Sequence, residues 1–160
     1  KTNESETAAY ILADNEDDYT YDVVQLMLDH DIEVHRADAD FTVGHGRSYW
    51  SGESEQRSFD AGAFIVRTDQ PKHIFINTLM QRQMAIEDSG MHDMASWSAP
   101  LADNLDAAWT TSAPGVATTL LYAPPSRPMG LANADAQYGY VIDSQQAKAP
   151  NALAALWRAG

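Results

Sequence analysis

Cysteine is missing altogether from the 160 residues, which excludes a disulfide framework, a thiolate zinc site and a cysteine nucleophile. Basic side chains are scarce: 10 Lys plus Arg stand against 23 Asp plus Glu, a formal net charge of −13. A field of that sign repels phosphate backbones and anionic lipid, so neither nucleic acid nor membrane is an expected partner. No apolar run approaches the ~18 residues of a membrane span. The opening KTNESETAAY lacks the apolar core of a signal peptide. No GxGxxG or Walker-type glycine loop follows an apolar run, so no nucleotide cofactor is expected. No GxSxG elbow is present either, which removes the usual serine hydrolase.

What is there suffices for a core: 44% of residues are hydrophobic and 9% aromatic, as in a folded domain of this length. The start without Met, and an ending ALAALWRAG that stops where a glycine caps a helix, read as a segment of a longer polypeptide. Zero cysteine is compatible with a bacterial protein that is secreted or periplasmic.

A weak internal repeat organises the chain. AAYILADNEDDYTYDVVQLMLDHDI begins at Ala8, GAFIVRTDQPKHIFINTLMQRQM at Gly62 and YGYVIDSQQAKAPNALAALWRAG at Tyr138. Each opens on a continuous apolar run (Tyr10-Ile11-Leu12, Phe64-Ile65-Val66, Tyr140-Val141-Ile142), the pattern of a strand buried on both faces. A polar turn and a helical pattern follow. Tyr19, Val23, Leu26 and Met27 recur on one helical face, as do Ile74, Phe75 and Leu79 in the second unit. Pro71 and Pro150 suit first helical turns. IEVHRA gives a further strand, and Thr118–Tyr122 a short one. Strand, turn and helix three times over predict an α/β fold with a mainly parallel sheet, flavodoxin-like in arrangement. The expected division is an accessory domain over 1–122, a Pro-rich linker over 123–137, and a following unit cut short over 138–160. A sheet edge bared by that cut would favour a homodimer of the isolated segment.

Three sets of residues are candidates for chemistry. Asp14, Asp69 and Asp143 would lie together at the carboxyl ends of parallel strands, where open α/β sheets bind ligands and where carboxylates could hold a divalent ion; Asp also favours turns and helix caps. DADFTVGHGRSYWSGESEQRSF reads as a loop or hairpin excursion with Gly44, Gly46 and Gly52 as turn points. Within it GHGRSYWSGE places His45, Arg47, Tyr49 and Trp50 on a glycine-rich loop, where an Arg beside aromatics can recognise a carboxylate or a sugar. His30-x-x-Glu33 has the spacing of a zinc pair, but it straddles a helix end and no third ligand is evident. No catalytic, metal-binding or cofactor-binding set is assigned. The segment HDMASWSAPLADNLDAAW, His92 to Trp109, reads as a structural strap, with Trp97, Leu101, Leu105 and Trp109 recurring every four residues.

GAFIVRTDQP, the amphipathic helix after it, HDMASWSAPL and the opening YILADNEDDYTYDVVQLMLDHDIEVHRA resemble the region that follows the catalytic domain in large bacterial zinc carboxypeptidase-like proteins. YGYVIDSQQAKAPNALAALWRAG is similar to the start of their next domain, which is similar in fold to class I glutamine amidotransferases. The resemblance implies a non-catalytic accessory region of a hydrolase whose zinc would sit in the parent's catalytic domain, on a His-x-x-Glu pair and a distant third His. Those residues would precede this segment, and none maps onto it. Partners would be other domains of the same polypeptide. The alternative reading is a small-ligand module, binding a carbohydrate or peptide through the loop near Arg47 and the strand-end aspartates.

Overall fold

The apolar runs Tyr10-Ile11-Leu12 and Phe64-Ile65-Val66 do become strands, and they lie in the middle of one sheet. The computed structural model describes residues 7–16, 18–83, 98–126, 135–142, 144 and 148–159. The elements run β1 (Ala9–Leu12), α1 (Asp18–Asp29), β2 (His35–Ala37), β3 (Phe41–Ser48), β4 (Ser54–Phe59), β5 (Phe64–Arg67), α2 (His73–Met80), α3 (Ala99–Ala102), β6 (Ala107–Thr110), β7 (Thr118–Leu120) and α4 (Ala149–Ala159). The sheet order is β4-β3-β6-β1-β5-β2-β7, and every paired neighbour is antiparallel.

The expected parallel, flavodoxin-like or amidotransferase-like sheet is thereby overturned. Helix α1 does carry β1 to β2 as a crossover, but β5 fills the gap between them and opposes both, pairing Tyr10 with Val66 and His35 with Ile65. On the other side of β1, β6 pairs Trp109 with Tyr10. The inner order β6-β1-β5-β2 with its helical crossovers is the split βαβ, or ferredoxin-like, arrangement. The chain is reversed by the β3–β4 hairpin, which leads out of β2 and back into β5.

Alternation sorts the strand residues into two layers. Tyr10, Leu12, Phe64, Val66, Ala107 and Trp109 face the helices, meeting Val24 and Met27 of α1 and Ile76 and Met80 of α2. Ala9, Ile11, Ile65 and Ala108 face the other way, against Val43 and Phe59. The hairpin itself covers that second face. It leaves β2 where the Gly62 N–H donates to the Ala37 carbonyl at 2.8 Å, and it ends on β6, pairing Arg47 with Trp109 and Ser48 with Ala108. An irregularity between Val43 and Gly46 gives the bend that a bulge supplies. Both faces of β1 and β5 are therefore buried without a second helical layer.

Local signals explain the helix ends. Asp31 takes φ 53°, and the N–H groups of Asp31 and Ile32 donate to the carbonyls of Leu28 and Met27 at 3.0 Å each, a Schellman stop to α1. The buried face of α1 is Thr20, Tyr21, Val23, Val24 and Met27, rotated from the face expected, with Leu26 outside. In α2 the buried pair is Ile76 and Met80, and Ile74 is 71% exposed. The third unit departs furthest. Tyr140, Val141 and Ile142 are exposed and belong to no strand, and α4 is a helix with no buried residue. The anticipated strap proves to be α3 followed by β6, with Leu105 and Trp109 buried; Trp97 and His92 lie outside the described residues.

Candidate functional site

Antiparallel pairing changes which candidate residues can meet. Asp14 follows β1 and Asp69 follows β5, and because the two strands oppose each other their carboxyl ends lie at opposite ends of the sheet. No shared carboxylate cluster can form from them. Asp143 lies outside the described residues. Asp69 is held by Arg67 on its own strand end, and the guanidinium hydrogen bond keeps the Asp69 carboxyl below its usual range.

Asp14 belongs to a structural network instead. Its Oδ2 accepts from Arg36 Nη2 at 2.7 Å and its Oδ1 from the Tyr21 hydroxyl at 2.8 Å. Arg36 Nε also donates to the Gly62 carbonyl at 3.2 Å. Gly62 sits at φ +100°, and a Cβ there would come within 3.0 Å of Arg36 Nη2, so glycine admits the guanidinium. The Tyr21 hydroxyl is pushed up to about 12, first by burial and then by donating to the Asp14 carboxylate. This ties β1, β2, α1 and the turn before β5 together.

Of the loop or hairpin expected around the glycine-rich stretch 44–53, the hairpin is what forms: the stretch is most of β3 and the tight turn after it. His45 is exposed on the strand, and Arg47 Nη1 reaches the Gly52 carbonyl at 3.4 Å. Tyr49 is buried: its hydroxyl donates to the Met80 carbonyl at 2.6 Å and its ring meets Trp109 edge-on at 4.9 Å. Trp50, one residue on, is 66% exposed. Its mount is rigid, because Arg82 Nε donates to the Tyr49 carbonyl at 2.7 Å and Arg82 Nη2 to the Trp50 carbonyl at 3.3 Å.

Beside that turn lies a cleft of about 370 Å³. The turn supplies Ser48, Tyr49 and Trp50, β4 supplies Glu55 and Arg57, and the α3–β6 loop with the start of β6 supplies Asn104, Leu105, Asp106 and Ala107. Arg57 is the organising side chain. Its Nη1 donates to the Ala107 carbonyl at 2.7 Å, its Nη2 pairs with Asp106, and its Cζ lies 5.2 Å from the Phe59 ring centre. Asn104 takes φ +52°, a left-handed turn that Asn tolerates better than most residues. The turn brings its side chain to the cleft. Two carboxylates and one guanidinium leave the lining with a net negative charge.

A smaller cleft of about 90 Å³ lies next to it, lined by Asp14, Asn15, Asp60 and Asp106 among others. Two of its three carboxylates are already engaged, Asp14 by Arg36 and Asp106 by Arg57. Among the described residues no group of three His, Cys, Asp or Glu side chains is placed to hold a metal ion. The His30-x-x-Glu33 pair is built into the fold differently. His30 Nδ1 donates to the Leu26 carbonyl at 2.8 Å and the ring stacks on Phe75 at 4.8 Å. The Glu33 backbone is bracketed by the Gln70 amide at 2.9 and 3.1 Å.

Of the residues singled out in the sequence, Tyr49 and Trp50 reach the cleft, while His45, Arg47, Asp14 and Asp69 do not line it. Glu55, Arg57, Asn104 and Asp106 were missed. No local pattern marks them, because the two halves of the site are brought together only when β6 docks beside β3. Among the described residues no helix is long and apolar enough to cross a membrane. No known protein family, curated protein or solved structure matches the chain.

Proposed function

We propose that the chain is a non-catalytic accessory module of a larger exported polypeptide, of the kind its resemblance to the zinc carboxypeptidase-like proteins implies, and that it contributes a ligand-binding cleft. One observation carries the reading: an exposed Trp50, its backbone held by Arg82, shares a concave lining with the Arg57–Asp106 pair, Glu55 and Asn104. Ligand sites are typically concave, with a few placed polar groups that fix orientation. The same lining offers little for bond breaking. The Ser48 hydroxyl is turned to the Trp50 and Ser51 N–H groups at 3.3 and 3.5 Å and the Asp106 carboxylate is paired with Arg57, so neither is set against a base as an activated nucleophile. Any zinc chemistry belongs to the parent's catalytic domain. The exposed Leu153, Leu156 and Trp157 of α4 suit contact with another domain of the same polypeptide.

The test is amide and indole chemical-shift mapping of the 15N-labelled chain against sugars, short peptides and amino acids. Perturbations confined to Ser48–Arg57 and Asn104–Ala107 are expected for at least one class. Silence across all classes, or perturbations scattered over the surface, would refute a binding cleft.

A further inference from the structure

We infer that the cleft beside the β3–β4 turn takes a neutral carbohydrate, with one sugar ring stacked on Trp50 and its hydroxyls held by Asn104, Asp106, Arg57 and Glu55. The inference rests on the cleft being a ligand site and adds the class of ligand.

Three features of the cleft select that class. The first is the aromatic platform. A pyranose presents a face of C–H groups that packs on an aromatic ring, and an indole is the largest such face a protein offers. Trp50 is two-thirds exposed at the mouth of the cleft although its backbone is clamped by Arg82 and its N–H lies 3.3 Å from the Ser48 hydroxyl. The ring is thus presented on a rigid support, so little ordering is required when a ligand arrives. The positive φ of Gly52, +74°, closes the turn tightly behind it.

The second is the polar set. Each sugar hydroxyl both donates and accepts, and neighbouring hydroxyls match planar side chains that offer two contacts at once. Carboxylates, a carboxamide and a guanidinium are the planar side chains available to a protein, and all three kinds line this cleft as Glu55, Asp106, Asn104 and Arg57. The Arg57–Asp106 pair is itself fixed by the 2.7 Å bond from Arg57 to the Ala107 carbonyl, which holds both groups in place.

The third is charge. Glu55 and Asp106 outweigh Arg57 in the lining, and the whole chain carries −13. Phosphate, uronate and free carboxylate ligands are disfavoured on both counts, whereas a neutral polyol meets no such field. A peptide in extended form would look instead for an open sheet edge or apolar pockets, and this lining is mostly polar.

The experiment titrates the full chain with neutral hexasaccharides of the gluco, manno, xylo and N-acetylglucosamine series, with oligogalacturonate as the acidic counterpart and with a mixed tripeptide library. Binding is read by the Trp50 indole NMR signal and by calorimetry. At least one neutral series is expected to shift the Trp50 indole together with the Asn104 and Asp106 amides. Trp50→Ala should weaken that binding tenfold or more while Trp157→Ala, which removes another exposed indole, leaves it within twofold. Both substitutions are on the surface, and an unchanged amide spectrum elsewhere shows that each variant folds. If oligogalacturonate or peptides perturb the cleft and no neutral sugar does, the carbohydrate inference is overturned and the binding cleft stands. If a neutral sugar binds Trp50→Ala as tightly as the parent chain, the inference also fails. If no probe perturbs the cleft, the inference and the binding function fall together.

Discussion

Replacing Tyr21 by Phe gives a test of the Asp14 network in which the sign of the effect changes with pH. At pH 8 the variant lacks the 2.8 Å bond from the Tyr21 hydroxyl to Asp14, while the bond from Arg36 continues to satisfy the carboxylate. A hydrogen bond of this kind contributes about 1 kcal/mol net, so the variant should be less stable by about that amount. Tyr21 is 4% exposed, and its hydroxyl loses its proton only near pH 12 in the folded chain, against about 10 when unfolded. The neutral phenol is favoured in the fold, so its contribution is fully present below pH 10 and is lost as the pH rises towards 12. That loss runs at about 1.4 kcal/mol per pH unit and totals on the order of 3 kcal/mol. The Phe variant has no such loss. The chain's other tyrosines titrate in both proteins, so they cancel in the difference. Urea titrations followed by far-UV circular dichroism at intervals from pH 8 to 11.5 should show the two stability curves converging above pH 10 and crossing near pH ~10.7. A difference that stays constant across that range would refute the account of Tyr21 as a buried, neutral donor.

Other perturbations probe other parts of the fold. Ile11→Ala opens a cavity in the face covered by the hairpin and should cost about 2–5 kcal/mol; a loss under ~1 kcal/mol would mean that the hairpin does not seal that face. Gly62→Ala forces a side chain onto a backbone at φ +100° and against Arg36, and a drop of about 1–3 kcal/mol in urea-derived stability is expected. Gln70→Ala removes the amide that bonds both the N–H and the carbonyl of Glu33. Hydrogen exchange at the Glu33 amide should accelerate about tenfold or more while β1 amides keep their protection, and unchanged exchange there would show that Gln70 does not hold the start of β2.

The two strands at the centre of the sheet were legible in the sequence, and their directions were not. Tyr10-Ile11-Leu12 and Phe64-Ile65-Val66 announce burial on both faces, which is what they have. An apolar run reads the same whichever way its neighbours point, and the step from buried strands to a parallel sheet assumed that helices cover both faces. Here Val43 and Phe59 of a hairpin cover one of them. The glycines at 44, 46 and 52 suggested turn points of a loop or hairpin; a hairpin forms, but β3 runs through the first two and only the third closes a turn. The His92–Trp109 segment holds only the first three residues of strand β6, which runs Ala107–Thr110, where small residues against β1 left no strong period. Of the site, the aromatic half was visible in SYWSG. The half carried by Arg57 and Asp106 depends on which strand neighbours which, and spacing along the chain does not encode that.

The position of β1 also constrains how the molecule can be made. Both of its partners, β5 and β6, come from distant parts of the chain, pairing Tyr10 with Val66 and with Trp109. Among the described residues only the β3–β4 hairpin can pair locally as the polypeptide emerges. Chains dominated by such remote pairings fold slowly, because loop closure precedes the contacts that repay it. Until residues 107–110 have left the ribosome, β1 has one open side, and the edge of β3 that will meet β6 at Arg47 and Ser48 is open as well. A chain halted before Ala107 therefore displays two ready templates for stray strands, and such truncations should aggregate on synthesis where the chain carried through β6 does not.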